Sequence, residues 1–303
     1  MKRLLACLAL LSVACVFAED AVRPLTPERM ELLKHSLIHR GDGVGRPDNT
    51  MEAMLYTWAK GYTPECDARY TKDRVIVAFH DGSLKKKPIS QWLWADLREE
   101  DVGSYRGKQF ATCRVPTWDT IFSAIRENPN RRIHLDYKDV PPEVLAPMVK
   151  RYGIEKQVYF ITCGYDLIHR WKKALPEGKA MHWMHLGNWG RLNFDSPEAL
   201  GMAEAHERAL FEKAAAENFK DIDNVQLHVQ VNYSKEEPFC PRAATLKAWC
   251  DRIHAAGVEA SICVWKEEAN DPKTYKKLWQ LGFDSFGTDY PEALYQAIKD
   301  GMK

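Results

Sequence analysis

The chain has 303 residues, 45% of them apolar and 28% charged, with a formal net charge of +1. That composition excludes disorder as the main state, and the length suits one α/β barrel without a second domain. The charge balance gives no support to a nucleic-acid tail or an anionic membrane surface as partner.

Lys2 and Arg3 precede an apolar run from Leu4 to Phe17 that is too short to span a bilayer comfortably. Val16-Phe17-Ala18 supplies a cleavage site, and the acidic Glu19 and Asp20 follow. This is the layout of a secretory signal peptide over residues 1–18, with the mature domain over 19–303 and export to the periplasm or the medium. Lipoprotein processing at Cys15, after Ser12-Val13-Ala14, is the alternative, and a buried N-terminal helix is the plainer one. No later segment approaches transmembrane length. Cys7 and Cys15 lie in the leader. Cys66, Cys113, Cys163, Cys240, Cys250 and Cys263 remain, and sequence does not choose among their pairings. Cys66, Cys163 and Cys263 fall in predicted strands, where buried free thiols are expected.

After an opening segment (Pro24 to Lys34), strand-like and helix-like runs alternate to the end. Strands are predicted at His35–Gly41, Tyr62–Tyr70, Arg132–Lys138, Val158–Cys163, Ala180–Leu186, Asn224–Val231, Val258–Trp265 and Phe283–Thr288. Amphipathic helices are predicted at Asn49–Lys60, Thr117–Asn128, Pro141–Tyr152, Tyr165–Leu175, Ser196–Asn218, Pro241–Ala256, Pro272–Leu281 and Pro291–Met302. Asp195-Ser196-Pro197 and Asp271-Pro272 read as helix starts, while Gly61, Gly153, Gly257 and Gly282 read as stops. Eight alternations predict a single-domain (β/α)8 barrel, with a doubly wound open sheet as the other fold. Val75–His80 follows the second strand too closely for a parallel crossover and reads as its hairpin partner. The stretch Gly82–Pro116, containing Gln91-Trp92-Leu93-Trp94, is a long loop placed to shape substrate access.

Polar residues gather at the predicted strand ends, where a barrel of this kind keeps its active site. His39 and Arg40 end the first strand, Glu65 and Asp67 the second, His80 and Asp81 the hairpin strand, Asp136 and Lys138 the third. Glu65 and Asp67 point to one face of their strand and Cys66 to the other. Two carboxylates on one face repel unless a cation lies between them, and Asp136 adds a third oxygen donor. An all-oxygen set favours one hard divalent ion, Mg2+ or Ca2+. The plainer account of each carboxylate is a helix cap or a pair with a nearby arginine. His39 and His80 suit acid–base work near neutral pH. Arg40 and Lys138 suit phosphate oxygens, or else pair with the acidic cluster. His134, Asp139, His182, His185 and His228 lie on or near strands and are taken as structural.

The series His39-Arg40-Gly41, Pro47-Asp48-Asn49-Thr50, Glu65-Cys66-Asp67 and His80-Asp81 resembles the opening signature of glycerophosphodiester phosphodiesterases, within the superfamily of phospholipase C-like phosphodiesterases. The resemblance continues through Val115-Pro116-Thr117, Asp136-Tyr137-Lys138, Val264-Trp265 and Gly287-Thr288-Asp289-Tyr290-Pro291, and so covers nearly the whole mature chain in order. It implies a barrel that releases glycerol 3-phosphate and an alcohol from a small glycerophosphodiester with the help of a bound divalent cation. It implies acid–base roles for His39 and His80, and metal ligation by Glu65, Asp67 and Asp136. It further implies substrate contacts for Arg40, Lys138 and Trp265, and a supporting role for Asn49.

Departures fall mainly on the alcohol side. The family's third ligand is usually glutamate, where this chain has Asp136. Leu84-Lys85-Lys86-Lys87-Pro88 and Lys266-Glu267-Glu268 replace the family's usual runs. An Asp-x-Lys pattern also resembles the sphingomyelinase D group, which lacks the first two runs. Two alternatives therefore stand beside hydrolysis of glycerophosphodiesters. One is phospholipase D-like cleavage of a lysolipid or sphingolipid to a cyclic phosphate, with Trp92 and Trp94 expected at the acyl chain or a lipid surface, or else in lid packing. The other is a barrel that binds phosphodiesters or sugars without cleaving them.

Overall fold

The computed structural model of the chain describes residues 23–187 and 192–302. The leader expected over residues 1–18, with Cys7 and Cys15, lies outside the described residues. Eight parallel strands close on themselves: β1 (Leu37–Ile38), β2 (Thr63–Tyr70), β3 (Ile133–Tyr137), β4 (Val158–Thr162), β5 (Lys179–Trp183), β6 (Asn224–Val231), β7 (Glu259–Val264) and β8 (Ser285–Thr288). Closure is carried by Leu37, which pairs with Gly287 of β8 on one side and Thr63 of β2 on the other. The fold is the barrel and not the open sheet.

Strand alternation sorts the side chains. Ile133 and Leu135 of β3, Phe160 of β4, and Val225 and Leu227 of β6 face the surrounding helices in one continuous apolar shell. Their neighbours His134, Asn224, Gln226 and His228 are buried and polar, and they fall on the opposite, inner face. The outer shell therefore supplies the hydrophobic stabilisation. Phe160 stacks on Trp171 with centroids 4.9 Å apart, and truncating such a buried ring costs about 3–5 kcal/mol.

The predicted helix signals act as read. Thr50, Thr117, Ser196 and Asp271 accept first-turn N–H groups through their side chains. Gly153 closes the helix Pro142–Tyr152 in the left-handed region, with φ of 67°.

The hairpin partner of β2 is Ile76–Ala78, antiparallel, with Ala78 opposite Ala68. His80 therefore lies beyond its end and not on it. A second short hairpin (Ser83–Leu84 with Lys87–Pro88) and a one-turn helix (Trp94–Leu97) follow. This insertion has its own small core of Val77, Ile89, Trp92, Leu97 and Val115, with Trp94 packed against it. Trp92 also donates its Nε1–H to Lys87 O at 3.2 Å. Both tryptophans thus pack within the insertion, Trp92 buried and Trp94 partly exposed, which is the packing alternative stated for them above.

The first strand is shorter than predicted because Arg40 sits at φ 50°, ψ 30°, which ends the extended run and turns His39–Gly41 into a single 3-10 turn. Cys163 lies past the end of β4 and is exposed, not buried in it, whereas Cys66 and Cys263 are buried as expected. All six cysteines among the described residues are free thiols. Among the described residues, no helix is long and apolar enough to cross a membrane.

Candidate active site

The expected rim residues come together at the C-terminal end of the barrel. Glu65 and Asp67 share the inner face of β2, while Cys66 between them turns outward to Met54, with Sγ 3.4 Å from Sδ. Parallel register places Asp136 of β3 opposite Asp67. The three carboxylates bring one oxygen each within 4.8 Å of one another.

Asn49 holds this group from the first loop. Its amide donates to Asp67 Oδ2 at 2.8 Å and accepts the Asp67 N–H at 2.9 Å. Asn49 sits at φ 58° and Arg40 at φ 50°, and the Asn49 N–H donates to Arg40 O at 2.8 Å. Two left-handed non-glycine residues joined by one hydrogen bond are backbone strain of the kind that gathers at working sites.

Lys138 lies over the cluster, with Nζ 2.7 Å from Asp136 Oδ2 and 3.0 Å from Asp67 Oδ1. Its pairing with the acidic group is therefore present. Burial disfavours the charged form of Asp136, and although Lys138 opposes this, its pKa stands at about 6. Glu65 is pushed well above the carboxylate range by burial and then by Asp67 and Asp136. Asp67 is held low: burial acts upward, but Lys138, His80 and the Asn49 amide outweigh it.

His39 and His80 face each other across the rim with ring centroids 6.3 Å apart. Each is held through Nδ1 by a carboxylate, His39 by Asp289 at 2.6 Å and His80 by Asp81 at 2.8 Å. That arrangement places a proton on Nδ1 and leaves Nε2 as the acceptor. His80 Nε2 lies 3.0 Å from Arg40 Nη2, which can only donate. Burial lowers the His80 pKa below its ordinary value; Asp67 and Asp81 act upward and Arg40 downward.

Arg40 also donates its backbone N–H to Glu65 Oε2 at 2.8 Å and Nη1 to Asp48 Oδ2 at 2.8 Å. Trp265 stands edge-on to His39 at 4.7 Å and donates Nε1–H to His228 Nδ1 at 3.2 Å. A cleft of about 390 Å³ opens beside Arg40 and His80 toward Leu84 and Tyr105 of the insertion.

Four participants received no role from sequence. Asp289 orients His39, and Gly43 lets the two loops meet: a Cβ there would lie 2.0 Å from Asp289 O. Asp81 and Asp48 orient His80 and Arg40. Asp48, Asp81 and Asp289 all stand inside motifs quoted for the resemblance, which is the signal that marked them. Of the residues taken as structural, Asp139 accepts the Tyr70 N–H at 2.9 Å, and His228 holds Trp265.

The profile of the glycerophosphoryl diester phosphodiesterase family matches residues 39–293. Lysophospholipase D GDPD1 of Homo sapiens is 24% identical over 291 residues, covering 88% of this chain and 87% of its own. The structure of a phosphodiesterase from Oleispira antarctica in complex with the product sn-glycerol-3-phosphate superposes with a TM-score of 0.64 at 19% identity, covering 89% of this chain and 99% of that one. A glycerophosphoryl diester phosphodiesterase from Parabacteroides distasonis superposes with a TM-score of 0.63 at 21% identity, covering 94% and 88%. With the family profile spanning nearly every residue of the rim, the chain belongs to the glycerophosphoryl diester phosphodiesterase family and is a phosphoric diester hydrolase.

Proposed function

We propose that this rim hydrolyses glycerophosphodiesters to glycerol 3-phosphate and an alcohol, with His39 and His80 as the acid–base pair. The observation that carries the reading is the facing pair of imidazoles, 6.3 Å apart, each oriented by its own aspartate beside a three-carboxylate cluster. The bound product of the Oleispira antarctica relative supports glycerol 3-phosphate as the product here.

The cluster fits a hard cation. Among the described residues Glu65 Oε1 is buried without a hydrogen-bond partner, Asp67 Oδ1 faces the Lys138 ammonium, and every donor is oxygen. Glu65, Asp67 and Asp136 would hold one divalent ion, Mg2+ or Ca2+. The chemistry such an ion supplies when bound is charge neutralisation at the phosphate oxygens.

The chain's own residues do the rest. Arg40 and Lys138 offer N–H donors to the non-bridging oxygens, and Trp265 closes the side next to His39. Asn49 keeps Asp67 in place. One imidazole takes the proton from the attacking hydroxyl, of water or of the substrate's glycerol, as the new P–O bond forms. The other, doubly protonated at the start, gives its Nε2 proton to the departing alkoxide as the old P–O bond breaks and is left neutral.

The deciding experiment measures glycerol 3-phosphate release from glycerophosphocholine and glycerophosphoethanolamine by metal-stripped protein with Mg2+ or Ca2+ restored. Ion-dependent release is expected. No release with either ion, from folded protein, would overturn the reading.

A second reading, phospholipase D-like cleavage of a lysolipid, draws on the name of the human relative and on Asp136 in place of glutamate. Trp92 and Trp94 pack within the insertion and lend it no direct support. Phosphorus NMR of the products separates the two: cyclic phosphate or lysolipid turnover would favour it. Export is proposed from the layout of residues 1–18 alone, and fractionation of the expressing cell tests it.

A further inference from the structure

The insertion reaches the acid–base centre through one chain of contacts. Tyr105 lies in the 3-10 turn Ser104–Arg106 and is 63% exposed, so packing does not account for its placement. Its hydroxyl nonetheless accepts the Asp48 N–H at 2.8 Å and donates to Asp48 Oδ1 at 2.8 Å. Arg106 Nη2 approaches the same oxygen at 3.3 Å. The other Asp48 oxygen receives Arg40 Nη1 at 2.8 Å, and Arg40 Nη2 lies 3.0 Å from His80 Nε2.

Among the described residues, Asp48 and His80 alone hydrogen-bond the Arg40 guanidinium. The backbone of Arg40 is in the left-handed region, and Nε is buried without a hydrogen-bond partner among the described residues. The guanidinium plane therefore rests on its two Nη contacts, one of which is Asp48. Burial would raise the Asp48 pKa, but the bonds from Arg40, Tyr105 and Arg106 hold it below the ordinary value, so the link is ionic at neutral pH.

We propose that Tyr105 and Arg106 are positioning residues that act through Asp48 to set the Arg40 guanidinium against His80. The inference rests on the roles given above to Arg40 and His80, whereas the chain of contacts stands apart from them. It makes the insertion part of the active site, because Tyr105, Arg40 and His80 line one cleft. A ligand entering that cleft meets the tyrosine that holds the arginine.

The test is a double-mutant cycle in the full chain, with Tyr105→Phe, Asp48→Asn and the pair. Tyr105→Phe should lower kcat/KM about tenfold, the size expected for a lost hydrogen bond to a charged group, with the melting temperature unchanged. In the Asp48→Asn background the same change should add less than about twofold, since coupled residues are not additive. Arg106→Lys, which keeps the charge, should retain more activity than Arg106→Gln. A Tyr105→Phe enzyme within about twofold of wild type, or effects that multiply in the pair, would overturn the proposal. A second readout does not need turnover: in arginine-15N NMR, the restrained Arg40 guanidinium should be released by Tyr105→Phe. An unchanged Arg40 signal overturns the positioning link whatever the activity. A released Arg40 in a protein that cleaves no phosphodiester keeps the link and removes the catalytic reading.

Discussion

The two ends of the barrel interior hold the same residue types in opposite conditions. At the N-terminal end, Glu259 lies 3.1 Å from His35 Nδ1 and accepts from Asn224 Nδ2 at 3.2 Å, and Ser261 Oγ donates to Asn224 Oδ1 at 2.7 Å. Tyr159 OH is 3.4 Å from His35 Nδ1, and because β4 and β1 are not neighbours this contact crosses the interior. Beside it, Asp284 takes Arg23 at 2.9 Å, His254 at 2.7 Å and the Ala260 N–H at 3.0 Å. At the C-terminal end, Glu65 sits with two other carboxylates and keeps a buried oxygen that has no hydrogen-bond partner among the described residues. A carboxylate satisfied by its own fold is structural. A cluster that the fold leaves short of positive charge is a candidate for a bound cation.

The largest expected difference between the ends is in catalysis. His39→Ala or His80→Ala should lower turnover by about 10²–10⁴-fold, the usual yield of a positioned acid or base, while the melting temperature stays near that of wild type. Steady-state kinetics and thermal unfolding check this, and near-full activity in both variants would dissolve the contrast. The N-terminal end should answer in stability instead. Asp284→Asn should cost about 3 kcal/mol at pH 7, as expected when a buried ion pair loses one partner, with turnover per folded molecule unchanged.

The pH dependence of that cost has a definite sign. Burial acts to raise the Asp284 pKa, but the bonds from His254, the Ala260 N–H and Arg23 bring it below the ordinary 3.8. Its contribution is then fully present above 3.8 and is lost as pH falls through the lower folded value. Urea midpoints of wild type and Asp284→Asn should therefore converge on acidification. Glu65, raised in the folded state of the cation-free protein, slopes the other way.

Cation binding separates the ends next. A ligand that binds only the folded state at about 100 times its Kd adds about 2.7 kcal/mol, so Mg2+ or Ca2+ should raise the melting temperature of stripped protein. Asp67→Asn should abolish the rise and Asp284→Asn should keep it. A rise that survives Asp67→Asn would place the ion elsewhere.

How far the sequence reveals this contrast depends on what each residue needs. The C-terminal rim was legible because its carboxylates lie on one strand at alternating positions, as with Glu65 and Asp67, or in the next strand of the sheet, as with Asp136. Asp289 was not legible as the partner of His39: they are 250 positions apart, and only closure of β8 onto β1 joins them. Tyr105 was hidden for a different reason. The course of the insertion follows from left-handed turns at Lys85 and Lys86 and a small separate core, neither of which has a periodic pattern. The tryptophans at 92 and 94 were open to both a lipid-facing and a packed role because composition alone does not say which side of a lid is inside. The N-terminal network was not foreseen either, since single polar residues such as Asn224 and Ser261 gain meaning only from their neighbours across the barrel.

The smallest effect is the sharpest test of the contrast itself, because it makes the same chemical change at both ends. Glu259→Gln removes charge from a carboxylate that the fold already pairs with His35 and Asn224. It should cost about 1 kcal/mol, the net value of a typical hydrogen bond, with kcat unchanged. Glu65→Gln removes charge from a cluster in which it is repelled. In cation-free protein it should cost nothing or slightly stabilise, because burial and two neighbouring carboxylates already disfavour the ionised form, while activity with the ion restored is lost. Equal destabilisation by the two changes would mean that Glu65 is satisfied by its fold after all, and that the C-terminal cluster is as structural as the network below it.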